Sequence, residues 1–339
     1  MKAYVLHGVG QLSYDSIPMP ECPEGWALVR VKAAGICSSD ISRVFTKGTY
    51  HFPTIPGHEF SGVVEAVGNS ADARLIGKSV GVFPLIPCRK CAQCQQGNYE
   101  LCENYDYIGS RRDGGFAEFV IVPIWNLVEL SEGISFEEAA MLEPLAVALH
   151  ALKRGDIRPG DTVGIIGTGM IGFAAAQWAV YLEAARVCIV GRSEQKRVLC
   201  ENMSGVEYLV ENDDLPMFDV VLEAVGTPEA VVMAIEHAQV GGRVVLMGNP
   251  SGDITLSQNT YWRILRKQIR LAGTWNSSYA GQDPSDWTEA RKALSQGTIS
   301  VKSLISHSFG QSKLMSALEL MRNHQEPYCK VMSLWNEEK

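Results

Sequence analysis

The sequence is short of the features that would take it out of the ordinary globular class. Proline is scarce, 15 residues in 339 against 32 glycines, and neither residue forms a repeating tract. Collagen-like and proline-rich extended chains are thereby excluded. Charged residues make up only 20% and hydrophobic ones 46%, which excludes disorder by composition. Positive charge is in deficit, 30 basic against 38 acidic residues for a net charge of −8. Attraction to nucleic acid or to an anionic membrane surface is therefore not expected. The opening residues, Met1 to Gly8, lack an apolar core and a small-residue cleavage site, so no secretory leader is expected and the chain reads as cytoplasmic. One charge-free stretch, Thr162 to Leu182, is long enough to mimic a membrane span. Gly164, Gly167, Gly169 and Gly172 crowd its first half, so it reads as a strand followed by a helix.

The length suits two domains, and the texture changes along the chain. Short runs broken by glycine and proline, such as Trp26–Ala33, Phe60–Val67, Ser79–Phe83 and Phe116–Val122, predict a β-rich domain. Phe136–Leu152 reads as one helix capped by Ser135. From Asp161 apolar strands and helices alternate at the lengths of βαβ units, and two helix-like stretches and a strand at Lys330–Leu334 follow residue 280. The expected architecture is α/β: a β-rich domain over 1–149 and 281–339, interrupted by a doubly wound parallel-sheet domain over 150–280.

Gly167-Thr168-Gly169-Met170-Ile171-Gly172 has the spacing G-x-G-x-x-G, follows an apolar strand and opens a helix, which is the context a dinucleotide site requires. The helix start offers free N–H groups and a positive dipole to a pyrophosphate. An NAD site usually ends its second strand with an acid that binds the adenosine ribose. Here Gly191 stands in that place, followed by Arg192, Ser193 and, after Glu194, Gln195 and Lys196, Arg197. A guanidinium and a hydroxyl, with no acid at the strand end itself, suit a 2′-phosphate, so NADP(H) is expected in preference to NAD(H).

Nine cysteines is an odd count, and four of them bunch as Cys88-x2-Cys91-x2-Cys94-x7-Cys102. In a reducing compartment such bunching reads as a metal shell, and four thiolates close it without leaving a substrate position. A second, mixed set is spread along the chain: Cys37 with Ser39 and Asp40, His58 with Glu59, and Glu143. One thiolate, one imidazole and carboxylates are typical of zinc that keeps an exchangeable position. Two zinc ions per chain are expected. Cys22, Cys188, Cys200 and Cys329 remain as free thiols.

These motifs, in this order, resemble the zinc-containing medium-chain dehydrogenases/reductases, whose signature matches Gly57-His58-Glu59-x2-Gly62-x5-Gly68-x2-Ala71. The resemblance spans nearly the whole chain. It implies a GroES-like catalytic domain, a Rossmann cofactor domain and a cleft between them, in an assembly of two or four copies. Glu143 at the third ligand position is similar to the sorbitol dehydrogenase branch. The run from Tyr105 to Phe119, including Arg111 and Arg112, is similar to bacterial galactitol-1-phosphate 5-dehydrogenases, although those carry an NAD-type acid where this chain has Gly191-Arg192. The implied activity is hydride transfer between a nicotinamide cofactor and a secondary hydroxyl of a polyol or polyol phosphate, or the matching ketose. The implied machinery is zinc on Cys37, His58 and Glu143, with Glu59 bound or nearby. Ser39 then takes the substrate proton and passes it to the nicotinamide ribose hydroxyl, with water as a further acceptor, and Asp40 orients His58. Many relatives place histidine five residues after the cysteine, where this chain has Ser42. Arg111 and Arg112 could clamp a substrate phosphate, or form an ordinary loop with Asp113. Other readings are a dehydrogenase of a 2,3-diol or amino alcohol, and a non-catalytic NADPH-binding protein.

Overall fold

The computed structural model describes residues 1–201, 203–250 and 252–335. The chain divides into two compact units, Met1–Glu143 with Ser278–Lys339, and Pro144–Ser277.

The first unit is built on a seven-stranded sheet. Its order runs Ile305–Gly310, Lys330–Leu334, Trp26–Ile36, Glu59–Val67, Ser79–Val82 and Leu127–Glu129, and Phe119–Pro123 also pairs with Trp26–Ile36. Alternate residues of Trp26–Ile36, among them Ala27, Val29 and Val31, enter a core shared with Leu6, Phe60, Phe116 and Leu318. The expected strand from Phe116 is shorter. Phe116 and Ala117 leave the sheet to meet the N-terminal hairpin, where Phe116 accepts the Tyr4 N–H at 2.8 Å.

The helix expected over 136–152 is two helices, Phe136–Ala140 and Leu142–Arg154. Ser135 caps the first in a reciprocal box with Glu138. The break follows from Pro144, which has no N–H for the Ala140 carbonyl and is tolerated only in a first helical turn. That restart puts Glu143 in the first turn of the second helix.

The second unit is a six-stranded parallel sheet in the order Val206–Val210, Arg186–Gly191, Thr162–Ile166, Phe218–Glu223, Ala238–Leu246 and Arg270–Gly273. The central strands Thr162–Ile166 and Arg186–Gly191 are near-continuous apolar runs, as expected where a sheet is covered on both faces, whereas the edge strand Arg270–Gly273 is largely exposed. The charge-free stretch resolves into the strand Thr162–Ile166 and the helix Met170–Tyr181. Among the described residues no helix is long and apolar enough to cross a membrane.

Candidate metal centres and dinucleotide site

Cys37 follows the strand Trp26–Ile36 and caps the short helix Ser38–Ser42; its N–H donates to Asp40 Oδ2 at 3.0 Å. His58 follows Gly57, whose φ of +97° only glycine adopts freely, and a Cβ there would strike the Phe116 ring. Gly109 and Gly114 let the 109–115 loop lie directly on the Gly57 backbone, with the Gly115 N–H donating to the Gly57 carbonyl at 2.8 Å. Glu59 opens its strand opposite Gly35, and its carboxylate passes over that glycine. Ligand atoms of Cys37, His58 and Glu59 come within 4.8 Å of one another.

Glu143 lies outside that trio but beside it. It is buried, and the Tyr107 hydroxyl donates to its Oε1 at 3.4 Å. Burial, helped by the charge of Glu59, lifts the Glu143 pKa to about 7 against the pull of His58 and Lys330. Asp40 is wholly buried with Oδ1 3.3 Å from His58 Nδ1. Burial opposes charge on His58, yet Asp40 holds its pKa well above the ordinary histidine value.

Three side chains that the sequence did not single out complete this cluster. Lys330 is buried and ion-paired with Glu59, with Nζ 3.4 Å from the Ile36 carbonyl. Arg43 reaches Ser39, Asp40 and His58. The Tyr107 ring stands 5.9 Å from His58. The one available signal for Lys330 was a lysine heading an otherwise apolar strand. Ser42 donates its hydroxyl to the Ser39 carbonyl at 2.9 Å and so faces its own helix.

Cys88, Cys91, Cys94 and Cys102 form the second group of ligand atoms within 4.8 Å. The Cys88–Cys94 and Cys91–Cys102 sulfurs are each 4.0 Å apart, and all four are free thiols. A tetrahedral shell with Zn–S near 2.3 Å puts its sulfurs about 3.8 Å apart, so the spacing fits that ion. Backbone N–H groups of Cys94 and Glu103 pull the Cys91 thiol down to about 6, whereas burial pushes Cys94 up to about 12.

In the second unit Gly167 sits at φ +120°, and a Cβ on Gly172 would overlap the Gly167 carbonyl. Gly169, just ahead of the helix Met170–Tyr181, faces open space. Gly191 is covered by Tyr208, whose hydroxyl donates to the Ser193 carbonyl at 2.6 Å. Arg192 is exposed and has no ion-pair partner among the described residues. Arg197, expected to face the cofactor, is instead paired with Glu194 and donates to the Tyr208 carbonyl at 2.8 Å. Lys196 donates to the Thr168 carbonyl at 2.9 Å, on the glycine loop.

The arginine pair also separates. Arg112 is ion-paired with Asp106 and lies 5.2 Å over Trp26. Arg111 stacks between Tyr50 and Tyr105 at 4.1 and 4.5 Å, and its Nε is buried without a hydrogen-bond partner. Asp113 pairs with neither; it accepts the Ile55 N–H at 2.9 Å. The two guanidinium groups thus have different partners, and Arg111 is the one held between aromatic rings.

A glycine-cradled helix start and a mixed Cys/His/Glu cluster define a metal-dependent nicotinamide oxidoreductase. Residues 23–132 match the alcohol dehydrogenase GroES-like domain and residues 171–296 the zinc-binding dehydrogenase family, and the chain belongs to the zinc-dependent alcohol and polyol dehydrogenases of the medium-chain superfamily. It is 34% identical over 290 residues to galactitol 1-phosphate 5-dehydrogenase of Escherichia coli K12, covering 82% of this chain and 84% of the relative. The crystal structure of galactitol-1-phosphate dehydrogenase from E. coli superposes with a TM-score of 0.89 at 32% identity, covering 98% of this chain and 100% of that one. A zinc-binding dehydrogenase from Sinorhizobium meliloti 1021, solved with NADP, gives 0.89 at 29% identity and 98% coverage of both chains. An alcohol dehydrogenase from E. coli CFT073, solved with NADH, gives 0.89 at 26%, covering 98% of this chain and 99% of that one.

Proposed function

We propose that this enzyme oxidises a secondary hydroxyl of a polyol or polyol phosphate, or reduces the corresponding ketose, and that it uses NADP(H) in preference to NAD(H). The observation that carries the chemistry is the convergence of Cys37, His58 and Glu59 with Glu143 beside them. A mixed thiolate, imidazole and carboxylate set suits a zinc ion that keeps a position for substrate oxygen, whereas the four cysteines suit a closed structural ion. Zinc held by Cys37, His58 and Glu143, with Glu59 bound or nearby, would supply Lewis-acid polarisation of that oxygen.

The chain's own groups do the remainder. Asp40 fixes the ring of His58 through Nδ1. Lys330 offsets the charge of Glu59. Ser39, half-buried two residues beyond Cys37, takes the substrate proton. The glycine loop, Met170 and Ile171 present backbone N–H groups to the pyrophosphate. Arg192 and Ser193, beyond the side-chain-free Gly191, receive the 2′-phosphate. Arg111, held half-buried between Tyr50 and Tyr105, receives a substrate phosphate; the name of the E. coli relative supports that substrate class.

The test is a panel of polyols and polyol phosphates assayed with NADP⁺ and NAD⁺. Turnover with kcat/KM at least ~10-fold higher for NADP⁺, about 1.4 kcal/mol, is expected. Arg111→Ala should lose phosphate-ester turnover and keep that of the free polyol; equal loss of both removes the phosphate role. A zinc-loaded protein that binds NADPH but turns over no secondary alcohol overturns the catalytic reading.

A further inference from the structure

Arg43 lies one residue beyond the helix Ser38–Ser42, and its side chain turns back along it. A single guanidinium nitrogen, Nη1, donates to Ser39 Oγ at 2.9 Å and to Asp40 Oδ1 at 3.2 Å, and stands 3.3 Å from His58 Nδ1. The contact with Asp40 balances a buried carboxylate. The contact with the Ser39 hydroxyl is not needed for that balance.

A serine hydroxyl has one proton and two lone pairs, and a guanidinium can only donate. Arg43 therefore takes one lone pair of Ser39 Oγ and no more. What remains is one lone pair to receive a proton and one O–H to give a proton away. Ser42 cannot serve as the next carrier, because its own O–H donates to the Ser39 carbonyl. Arg43 cannot accept a proton at all.

We propose that Arg43 is a positioning residue that orients the Ser39 hydroxyl as a proton carrier, leaving one lone pair for the incoming proton and the O–H for the outgoing one, with water as the acceptor beyond it. The inference rests on the reading of Ser39 as the group that takes the substrate proton. In the oxidation, the C–H electron pair leaves with the hydride for the nicotinamide, and the O–H bond of the alcohol breaks as its electrons form the carbonyl. The alcohol proton enters the open lone pair of Ser39 Oγ while the original Ser39 proton passes to water. One proton is released for each NADP⁺ reduced.

The experiment compares Arg43→Gln, Arg43→Lys, Ser39→Ala and the Ser39→Ala/Arg43→Gln double variant as full-length, zinc-loaded enzymes. It reads kcat, KM, the solvent deuterium isotope effect and bound zinc. Arg43→Gln should lower kcat by about 10- to 100-fold with KM within about 2-fold, and should enlarge the solvent isotope effect. Bound zinc should not change. The double variant should be no slower than Ser39→Ala alone, because both substitutions interrupt one transfer. Should Arg43→Gln lose zinc or fail to fold, Arg43→Lys keeps the charge beside Asp40 and should show the same slowing and the same non-additivity with Ser39→Ala.

Multiplicative losses in the double variant overturn the proposal. So does full activity in Arg43→Lys, which would reduce Arg43 to a counter-ion. If Ser39→Ala itself is as fast as wild type, the reading of Ser39 fails and the inference falls with it. If Ser39→Ala is slow while both Arg43 variants are normal, the Arg43 inference alone fails.

Discussion

The Tyr208 hydroxyl occupies the space a side chain at Gly191 would need, and it donates to the Ser193 carbonyl at 2.6 Å. Tyr208 belongs to Val206–Val210, the strand adjacent to Arg186–Gly191. The absence of an acid at the end of Arg186–Gly191 is thus matched by a phenol on its neighbour. Gly191→Asp alone should weaken NADPH binding by ~10-fold or more without creating tight NADH binding, because the new carboxylate must displace the phenol. Gly191→Asp with Tyr208→Ala should gain ~10-fold in NADH affinity by fluorescence titration, about 1.4 kcal/mol. A single Gly191→Asp variant that already prefers NADH would refute this coupling.

Lys330 and Glu59 form a buried ion pair, each only 3% exposed in its side chain. Removing one member of such a pair strands the other charge at a cost of about 3–5 kcal/mol, whereas removing both is far milder. Lys330→Met should show that loss in urea unfolding, and Lys330→Met with Glu59→Gln should recover most of it. A loss under about 1 kcal/mol in the single variant would contradict a buried, unshared pair.

Metal analysis should separate the two centres. Wild type should hold about two zinc ions per chain, and Cys91→Ser and His58→Ala about one each. Cys91→Ser should lower thermal stability while the folded fraction keeps its activity. His58→Ala should abolish turnover, and it also removes a partner of the buried Asp40 carboxylate. One zinc in the wild type, or unchanged zinc in Cys91→Ser, would count against this assignment.

Asp219 accepts both the N–H and the hydroxyl of Thr162, at 2.9 and 2.7 Å, and these bonds draw its pKa below the usual carboxylate value. The sign follows from linkage: stability from a lowered carboxylate is present above its unfolded pKa and disappears as pH falls through the folded one. Asparagine imitates the protonated form. Asp219→Asn should therefore be less stable than wild type by about 1–2 kcal/mol at pH 7, with the gap closing below about pH 4. A gap that is constant with pH would show that the charge contributes nothing.

Much of the candidate site was legible because its chemistry lies in short local motifs. Cys37, His58, Glu59 and the four clustered cysteines are recognisable by residue type and spacing, and the glycine loop by its place after a strand. Lys330, Arg43 and Tyr107 were not legible, because tertiary pairing alone makes them neighbours of the metal cluster. Lys330 meets Glu59 across 271 residues of sequence, and a lysine at a strand end ordinarily reads as solvated. The apolar periodicity over 136–152 continues across Pro144, so it does not reveal the break between Phe136–Ala140 and Leu142–Arg154. Arg197 and Arg112 carry charge in the expected segments, but each has an acidic partner within six residues that takes up its guanidinium.

The strand that brings Lys330 to Glu59 also sets an order of events during synthesis. Cys37, His58 and Glu59 leave the ribosome early, followed by the cysteine cluster, and then the whole of Pro144–Ser277 must be made. At about 5–20 residues per second, Lys330 arrives on the order of ten seconds or more later. The cysteine cluster is complete by Cys102, so it can close during that interval. Lys330, the buried ion-pair partner of Glu59, reaches the mixed cluster only when Lys330–Leu334 joins the sheet beside Trp26–Ile36. A chain released before that strand would leave the Glu59 carboxylate without its buried lysine partner.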